Sequence, residues 1–88
     1  MNDHITLDRL RVGESATVSS VCGKPSMARR LRDIGLTDGT SISCLMRSPL
    51  GDPVAYLIRG AVIALRREDS QNVSVTRTKA EVSYETRE

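Results

Sequence analysis

Apolar and polar residues alternate along several short runs of the chain, a spacing that is typical of half-buried β-strands. The clearest run covers residues 40–47, where the pattern predicts Ile42, Cys44 and Met46 on one buried face. Aliphatic and β-branched residues between turn-forming residues indicate further strands. The predicted strands are residues 16–21, 40–47, 54–58 and 61–65, with a short last strand at Val73 and Val75.

A helical period replaces this alternation after the first strand. Met27, Leu31 and Ile34 recur at i, i+4 and i+7, so that their side chains fall on one face of a helix. The charged residues of the same segment fall elsewhere on the helical wheel. The spacing therefore predicts a short amphipathic helix over residues 26–34.

Glycines mark the predicted turns. The glycine after the helix, followed by a leucine, is typical of a C-cap, and the Arg-Gly pair at residues 59–60 predicts a tight hairpin turn. Glycine suits such positions because it adopts a positive φ at little steric cost. We therefore predict three structural turn residues: Gly35, Gly39 and Gly60.

These elements together predict a small, mainly β domain. The pattern contains five short strands and one short amphipathic helix inserted after the first strand. Closure into a barrel removes exposed sheet edges, so a small five-stranded barrel is the expected architecture. We expect the domain to occupy residues 1–76. Residues 77–88 mix charges with few apolar positions, and we expect them to form a flexible C-terminal tail.

Composition narrows the possible functions. The chain has 88 residues and 2% aromatic residues, with two Tyr and no Phe or Trp, so an aliphatic core is expected and base stacking is disfavoured. A net charge of +2 is small for binding nucleic acid or anionic lipid. The longest apolar stretch, residues 54–65, is too short to span a bilayer. No export signal is visible, so we expect a cytoplasmic protein without direct membrane insertion.

Residues that carry catalysis or metal binding are scarce. His4 is the only histidine and lies in a terminus expected to be frayed, so it lacks a fixed partner for acid–base catalysis. Cys22 and Cys44 form no CxxC pair, and we expect them to be reduced and to act as small buried hydrophobic residues. The chain also lacks a GxxxxGK[ST] phosphate loop. The sequence predicts no enzyme, no cofactor and no metal site.

Four motifs, in their order and spacing, resemble the FeoA family. They are residues 30–40, residues 48–53, the pair at residues 59–60, and residues 64–66. The resemblance extends over residues 7–75. Two positions depart from the family pattern: these are Asp38, where the family usually has Pro, and Ser48, where it often has Ala. Both residue types are common in turns, so neither departure affects the expected fold.

The resemblance implies an SH3-like barrel and a role in bacterial ferrous iron uptake. The implied role is that of a non-enzymatic accessory protein that docks on the cytoplasmic part of a membrane ferrous-iron transporter and modulates it. The implied partner carries a cytoplasmic GTP-binding domain. Similar barrels form the C-terminal domain of some metal-dependent repressors, so a free-standing module of a metal-responsive transcription regulator is the alternative. A small RNA-binding barrel is a third alternative, which the low aromatic content disfavours.

The loop at residues 49–53 is the first candidate for partner binding. Two prolines stiffen it, so that it loses little conformational entropy on binding. Leucine at its tip is difficult to bury within the domain, although a leucine that folds back over an ordinary hairpin connection is an equal alternative. The candidate contact residues are Pro49, Leu50, Gly51 and Asp52.

The predicted helix carries a second candidate surface, formed by Arg29, Arg30 and Arg32. Exposed charge on an amphipathic helix is routine, and a solvated face is the simpler interpretation. The functional interpretation is a basic surface that orients the domain against an acidic patch of its partner.

Overall fold

The computed structural model describes residues 3–78. Antiparallel strands dominate this part of the chain, and three short helical segments connect them. The strands are β1 (His4–Thr6), β2 (Ser15–Val21), β3 (Ser41–Arg47), β4 (Val54–Ile58), β5 (Ala61–Leu65) and β6 (Val73–Arg77). The helical segments are a 3₁₀ turn (Leu7–Arg9), α1 (Pro25–Asp33) and the single-turn α2 (Arg67–Ser70).

The six strands form one antiparallel sheet in the order β1-β6-β2-β3-β4-β5. The mainly β class is confirmed, but the predicted count of five strands is wrong. The additional strand is β1, where His4 pairs with Thr76, so His4 is not in a frayed terminus. β1 is too short to show alternation, and α1 consequently follows the second strand. Between residues 3 and 78, no pairing of β1 with β5 closes the sheet.

One hydrophobic core lies against the inner face of the sheet. Its fully buried members include Tyr56, at the centre of β4, so the expectation of an entirely aliphatic core is wrong. The Tyr56 hydroxyl donates a long hydrogen bond of 3.4 Å to the Leu7 carbonyl. Burial raises the pKa of Tyr56 to about 12. The other core residues are Leu7, Leu10, Ala16, Val18, Leu31, Leu36, Ile42, Cys44, Val54, Ile58, Leu65, Val73 and Val75.

The C-terminal end of α1 is fixed by a Schellman motif. The Leu36 amide donates to the Leu31 carbonyl at 3.1 Å, and the Gly35 amide donates to the Arg32 carbonyl at 3.0 Å. Gly35 has a φ of +111°, a backbone conformation that favours glycine. Leu31 and Leu36 are both buried. The motif therefore ends the helix and turns the chain back into the core.

A β-bulge in β3 changes which side chains face the core. Cys44 pairs with Tyr56, but the next pair is Met46 with Ala55, so Leu45 is an additional residue on this strand. The insertion reverses the phase of the alternation after Cys44. Met46 is 62% exposed as a result, and the prediction that it shares the buried face of Cys44 is wrong.

The turn between β4 and β5 packs against the end of α1. Arg59 and Gly60 have φ values of +50° and +84°, and positive φ at both central residues is the signature of a type I′ hairpin turn. The Arg59 side chain crosses Gly35 so closely that a Cβ added at Gly35 would lie 2.7 Å from Arg59 Cδ. Glycine at position 35 thus provides both the positive φ and the space for this crossing.

The two ends of the described chain meet at one side of the sheet. The Arg77 amide donates to the Asp3 carbonyl at 2.9 Å, and the Thr78 amide donates to the Ser15 carbonyl at 2.9 Å. Arg77 is therefore the last residue of a paired strand. The predicted flexible tail otherwise falls on residues 79–88, which lie outside the described residues. Among residues 3–78, the helices fall short of the length and hydrophobicity that a membrane span requires.

Candidate partner-docking surface

The loop between β3 and β4 holds its shape through its own hydrogen bonds. Ser48 Oγ donates to the Pro53 carbonyl at 2.7 Å, and the Ser48 amide donates to the same oxygen at 3.1 Å. The Gly51 amide donates to the Ser48 carbonyl at 2.7 Å. Leu50, at the tip of this braced loop, is 95% exposed. The alternative of a leucine that folds back over the domain is therefore wrong for Leu50.

α2 joins the two candidate surfaces that the sequence presents separately. On one side of α2, the Asp52 carboxylate accepts a hydrogen bond of 2.9 Å from the Arg67 amide, at the positive end of the helix. On the other side, Arg30 Nη2 of α1 lies 2.8 Å from Asp69 Oδ1. The Arg30 side chain is 63% exposed and that of Asp69 12%. α2 thus connects the loop to α1.

These contacts divide the predicted binding residues into two groups. Asp52 and Arg30 are already engaged by α2, so their first role is to hold the surface together. Because Arg30 is largely exposed, its ion pair contributes at most about 1 kcal/mol. The side chains left for a partner are exposed ones: Arg29 and Arg32 on α1, and Pro49 and Leu50 on the loop, where Gly51 is exposed as well.

An apolar face adjoins the loop, and sequence reasoning did not find it. Outside the core, Met46 pairs with Ala55 and Leu57 pairs with Val62. All of these side chains except the half-buried Ala55 are exposed, Val62 by 67%. We call the set of Leu45, Met46, Ala55, Leu57, Val62 and Ala64 the apolar outer face. Its only sequence signal is the run of uncharged residues in β5, because the bulge that exposes Leu45 and Met46 disturbs the alternation.

The groups that could perform chemistry are dispersed. Cys22, just after β2, is exposed, so its predicted burial is wrong, whereas Cys44 is buried as predicted. Burial raises the pKa of the Cys44 thiol, and nearby Arg47 opposes this shift. His4 Nδ1 lies 3.1 Å from Thr76 Oγ1. Within residues 3–78, no group of three or more His, Cys, Asp or Glu side chains could hold a metal ion.

The fold and this surface define a small antiparallel β domain that exposes apolar side chains suited to contact with another protein. The chain belongs to the FeoA domain family, whose family model matches residues 5–77. The family resemblance inferred from the motifs is thereby confirmed.

Relatives of this chain come from several bacteria. A fusion of Fe(2+) transport protein A with the Fe(2+) transporter FeoB, from Porphyromonas gingivalis, is 33% identical over 69 residues. The match covers 78% of this chain and 8% of the fusion protein, so this chain spans a small part of that relative's length. The solution structure of the FeoA protein from Chlorobium tepidum is 31% identical, with a TM-score of 0.80 over 91% of this chain and 76% of that one.

Two further solved structures are similar to this fold. The zinc complex of FeoA from Stenotrophomonas maltophilia, described as a procaryotic SH3 domain protein, is 31% identical with a TM-score of 0.72 over 81% of this chain and 88% of that one. The SH3-like character of the fold is therefore confirmed. A manganese-dependent transcriptional repressor is 22% identical, with a TM-score of 0.78 over 89% of this chain and 44% of the repressor. That likeness shows the fold alone, and the regulator alternative stays a prediction.

Proposed function

We propose that this protein is a cytoplasmic, non-enzymatic accessory protein of ferrous iron uptake, which docks on the cytoplasmic part of a membrane ferrous-iron transporter and modulates it. The observation that carries the proposal is Leu50, an apolar side chain 95% exposed at the tip of a braced loop. Family membership links the chain to iron transport. The fusion protein of Porphyromonas gingivalis supports the choice of partner, because it joins a related domain to a transporter in one chain.

The loop suits docking because its shape is set before a partner arrives. Its internal hydrogen bonds and the Asp52 contact with α2 hold Leu50 outward, so little ordering entropy is lost on binding. Burial of a leucine side chain contributes about 1.5–3 kcal/mol. The guanidinium groups of Arg29 and Arg32 would act chiefly on the rate and orientation of association.

Docking modulates the transporter only if the domain binds one transporter state more tightly than another. The shift in the population of states is bounded by that difference in affinity. The GTP-binding domain expected in the transporter offers nucleotide-dependent states of this kind. A ratio of affinities measured with and without bound nucleotide would therefore set the largest shift in the population of those states.

The substitution Leu50→Asp tests the proposal. We expect affinity for the purified transporter to fall by at least about tenfold, because the apolar contribution is lost and a carboxylate must be desolvated. Binding is measured by biolayer interferometry and by pulldown from detergent. Far-UV circular dichroism and the urea midpoint should not change, since residue 50 is exposed.

Two control variants show whether the loss of binding is specific to the apolar side chain at position 50. Leu50→Met retains an apolar side chain and should bind the transporter nearly as well as the wild type. Ser20→Asp introduces a carboxylate at an exposed position of β2 and should not affect binding. Unchanged affinity for Leu50→Asp would contradict the assignment of the loop as the contact.

A further inference from the structure

β5 has a free edge. It stands at one end of the strand order, and within residues 3–78 its only partner strand is β4. The pair Ile58–Ala61 flanks the two-residue turn and Ile63 pairs with Tyr56, so the alternation of an antiparallel ladder turns the backbone groups of Val62 and Ala64 away from β4. Two amides and two carbonyls therefore line this edge.

The edge lacks the features that usually prevent strand pairing. Exposed edge strands in natural proteins generally carry a charged side chain, a proline or a bulge, and β5, with the sequence Ala-Val-Ile-Ala-Leu, contains none of them. Val62 is 67% exposed and Ala64 is also exposed. An uncharged five-residue edge of this kind is a template for an additional strand.

A groove runs along the same edge. It lies between β5 and α1, and its volume is about 440 Å³. Apolar side chains of α1 and β5 line it, those of Leu31, Ile34, Ile63 and Leu65, of which Leu31 and Leu65 are almost fully buried. Its other lining residues include the charged Arg30, Arg66, Glu68 and Asp69. An added strand projects alternate side chains to opposite faces, so one set would enter this groove and the other would extend the apolar outer face.

Arginines stand at both ends of the edge. Arg59 precedes β5, and Arg66 and Arg67 follow it. Arg66 and Arg67 are exposed, and Arg59 lies in the turn with its side chain across Gly35. A second copy would bring its own arginines to this edge, and like charges close together destabilise strand pairs, so these charges favour an added strand with acidic ends.

We propose that the free edge of β5 binds an extended segment of a partner protein, apolar at alternate positions and acidic at its two ends, as a seventh strand of the sheet. We take the partner protein that carries this segment to be the transporter, and this identification alone rests on the proposed function. The loop carrying Leu50 adjoins the C-terminal end of β5 through the contact of Asp52 with Arg67, so one partner reaches both features.

The synthetic peptide Asp-Glu-Val-Thr-Val-Thr-Val-Glu-Asp is the first probe. In ¹H–¹⁵N spectra of the full chain, we expect its addition to shift the amides of Val62 and Ala64 and those of α1 that face the groove. A peptide with Lys and Arg in place of the acidic residues should bind at least about tenfold more weakly at low salt. Equal binding of the two peptides, or shifts confined to other surfaces, would overturn the proposal.

The variant Val62→Pro tests the backbone contact. Proline is tolerated at an edge position whose N–H points away from the neighbouring strand, so the fold should persist, as checked by circular dichroism. Because an outward donor is lost and the ring obstructs pairing, peptide affinity should fall by about tenfold or more. The matched variant Val62→Thr keeps the amide and should bind normally. If Val62→Pro does not fold, Ala64→Pro and a peptide N-methylated on alternate amides provide the same comparison.

Pulldown of the transporter separates this inference from the proposed function. Loss of transporter binding by both Leu50→Asp and Val62→Pro supports both the proposed function and strand addition. Loss with Leu50→Asp and normal binding by Val62→Pro overturns strand addition and leaves the proposed function standing. Failure of the wild type to bind the transporter overturns the proposed function. The peptide spectra then still test whether the edge of β5 binds an added strand. Contacts of β5 with residues 79–88 or with a second copy, seen as nuclear Overhauser effects in the free protein, would overturn the inference.

Discussion

The substitution Gly35→Ala isolates the crossing of the β4–β5 turn over the end of α1. Two effects lower the free energy of unfolding when Gly35 is replaced. A residue other than glycine held at a φ of +111° costs about 1–3 kcal/mol. The added Cβ would also lie 2.7 Å from Arg59 Cδ and 3.3 Å from Ile58 Cγ2, so the Arg59 side chain must move. We expect the free energy of unfolding to fall by about 3 kcal/mol, a large fraction of the 5–15 kcal/mol typical of small domains.

The chain offers a matched control in Gly39→Ala. Gly39 has a φ of +88°, and a Cβ added there meets nothing within 4 Å. The backbone cost is therefore similar and the steric cost is absent, so a loss of about 1–2 kcal/mol is expected. Urea unfolding followed by circular dichroism gives both values, provided that the m-values of the variants agree.

A double-mutant cycle with Arg59→Ala completes this test. When the long side chain is removed, the cost of Gly35→Ala should fall to nearly that of Gly39→Ala, because only the contact with Ile58 remains. The reasoning is refuted if Gly35→Ala and Gly39→Ala cost the same, or if Gly35→Ala costs as much with Ala at position 59 as with Arg.

Three further predictions concern the core and the thiols. Tyr56 has a pKa of about 12 in the folded protein against an ordinary 10.0, so its hydroxyl ionises in the unfolded state first as pH rises. The free energy of unfolding should therefore fall above pH 10, by about 2 kcal/mol at pH 12. The sequence has one other tyrosine, Tyr84, and in a Tyr84→Phe variant the phenolate absorbance reports the ionisation of Tyr56 alone. Ionisation near pH 10 in folded protein would contradict the prediction. A thiol reagent should label Cys22 quickly in the native protein and Cys44 only in denaturant, and equal rates by mass spectrometry would refute the burial of Cys44. Leu36→Ala should cost about 2–5 kcal/mol in urea unfolding, and a cost below about 1 kcal/mol would be inconsistent with its complete burial.

Elements with strong local signals could be predicted closely from the sequence. Strands β4 and β5 have the predicted bounds because a turn with Gly60 separates two aliphatic runs. α1 is shifted by one residue from residues 26–34, since Pro25 occupies its first position. α2 forms one turn of α-helix (Arg67–Ser70). In each case the deciding interactions lie within a few residues of each other.

Features decided by distant contacts could not be predicted. β1 exists because His4 pairs with Thr76 at the other end of the domain, and no local pattern encodes that pairing. Arg30 and Asp69 are 39 positions apart, so neither the ion pair nor the bracing role of α2 was visible. The predicted alternation of buried and exposed side chains in β3 holds up to Cys44, and the bulge at Leu45 reverses it from there on. The exposure of Leu50 was foreseen as one of two alternatives because its flanking prolines act locally.

The adjacency of Asp3 and Arg77 bears on how this domain combines with others. Their backbone hydrogen bond brings the points of entry and exit of the described chain together at the β1–β6 side of the sheet. A neighbouring domain joined directly to Asp3 or to Thr78 would leave from the same corner, with β5 at the opposite end of the strand order. Such a layout allows residues 3–78 to be inserted into a longer polypeptide, or circularly permuted, with both junctions at one side of the sheet.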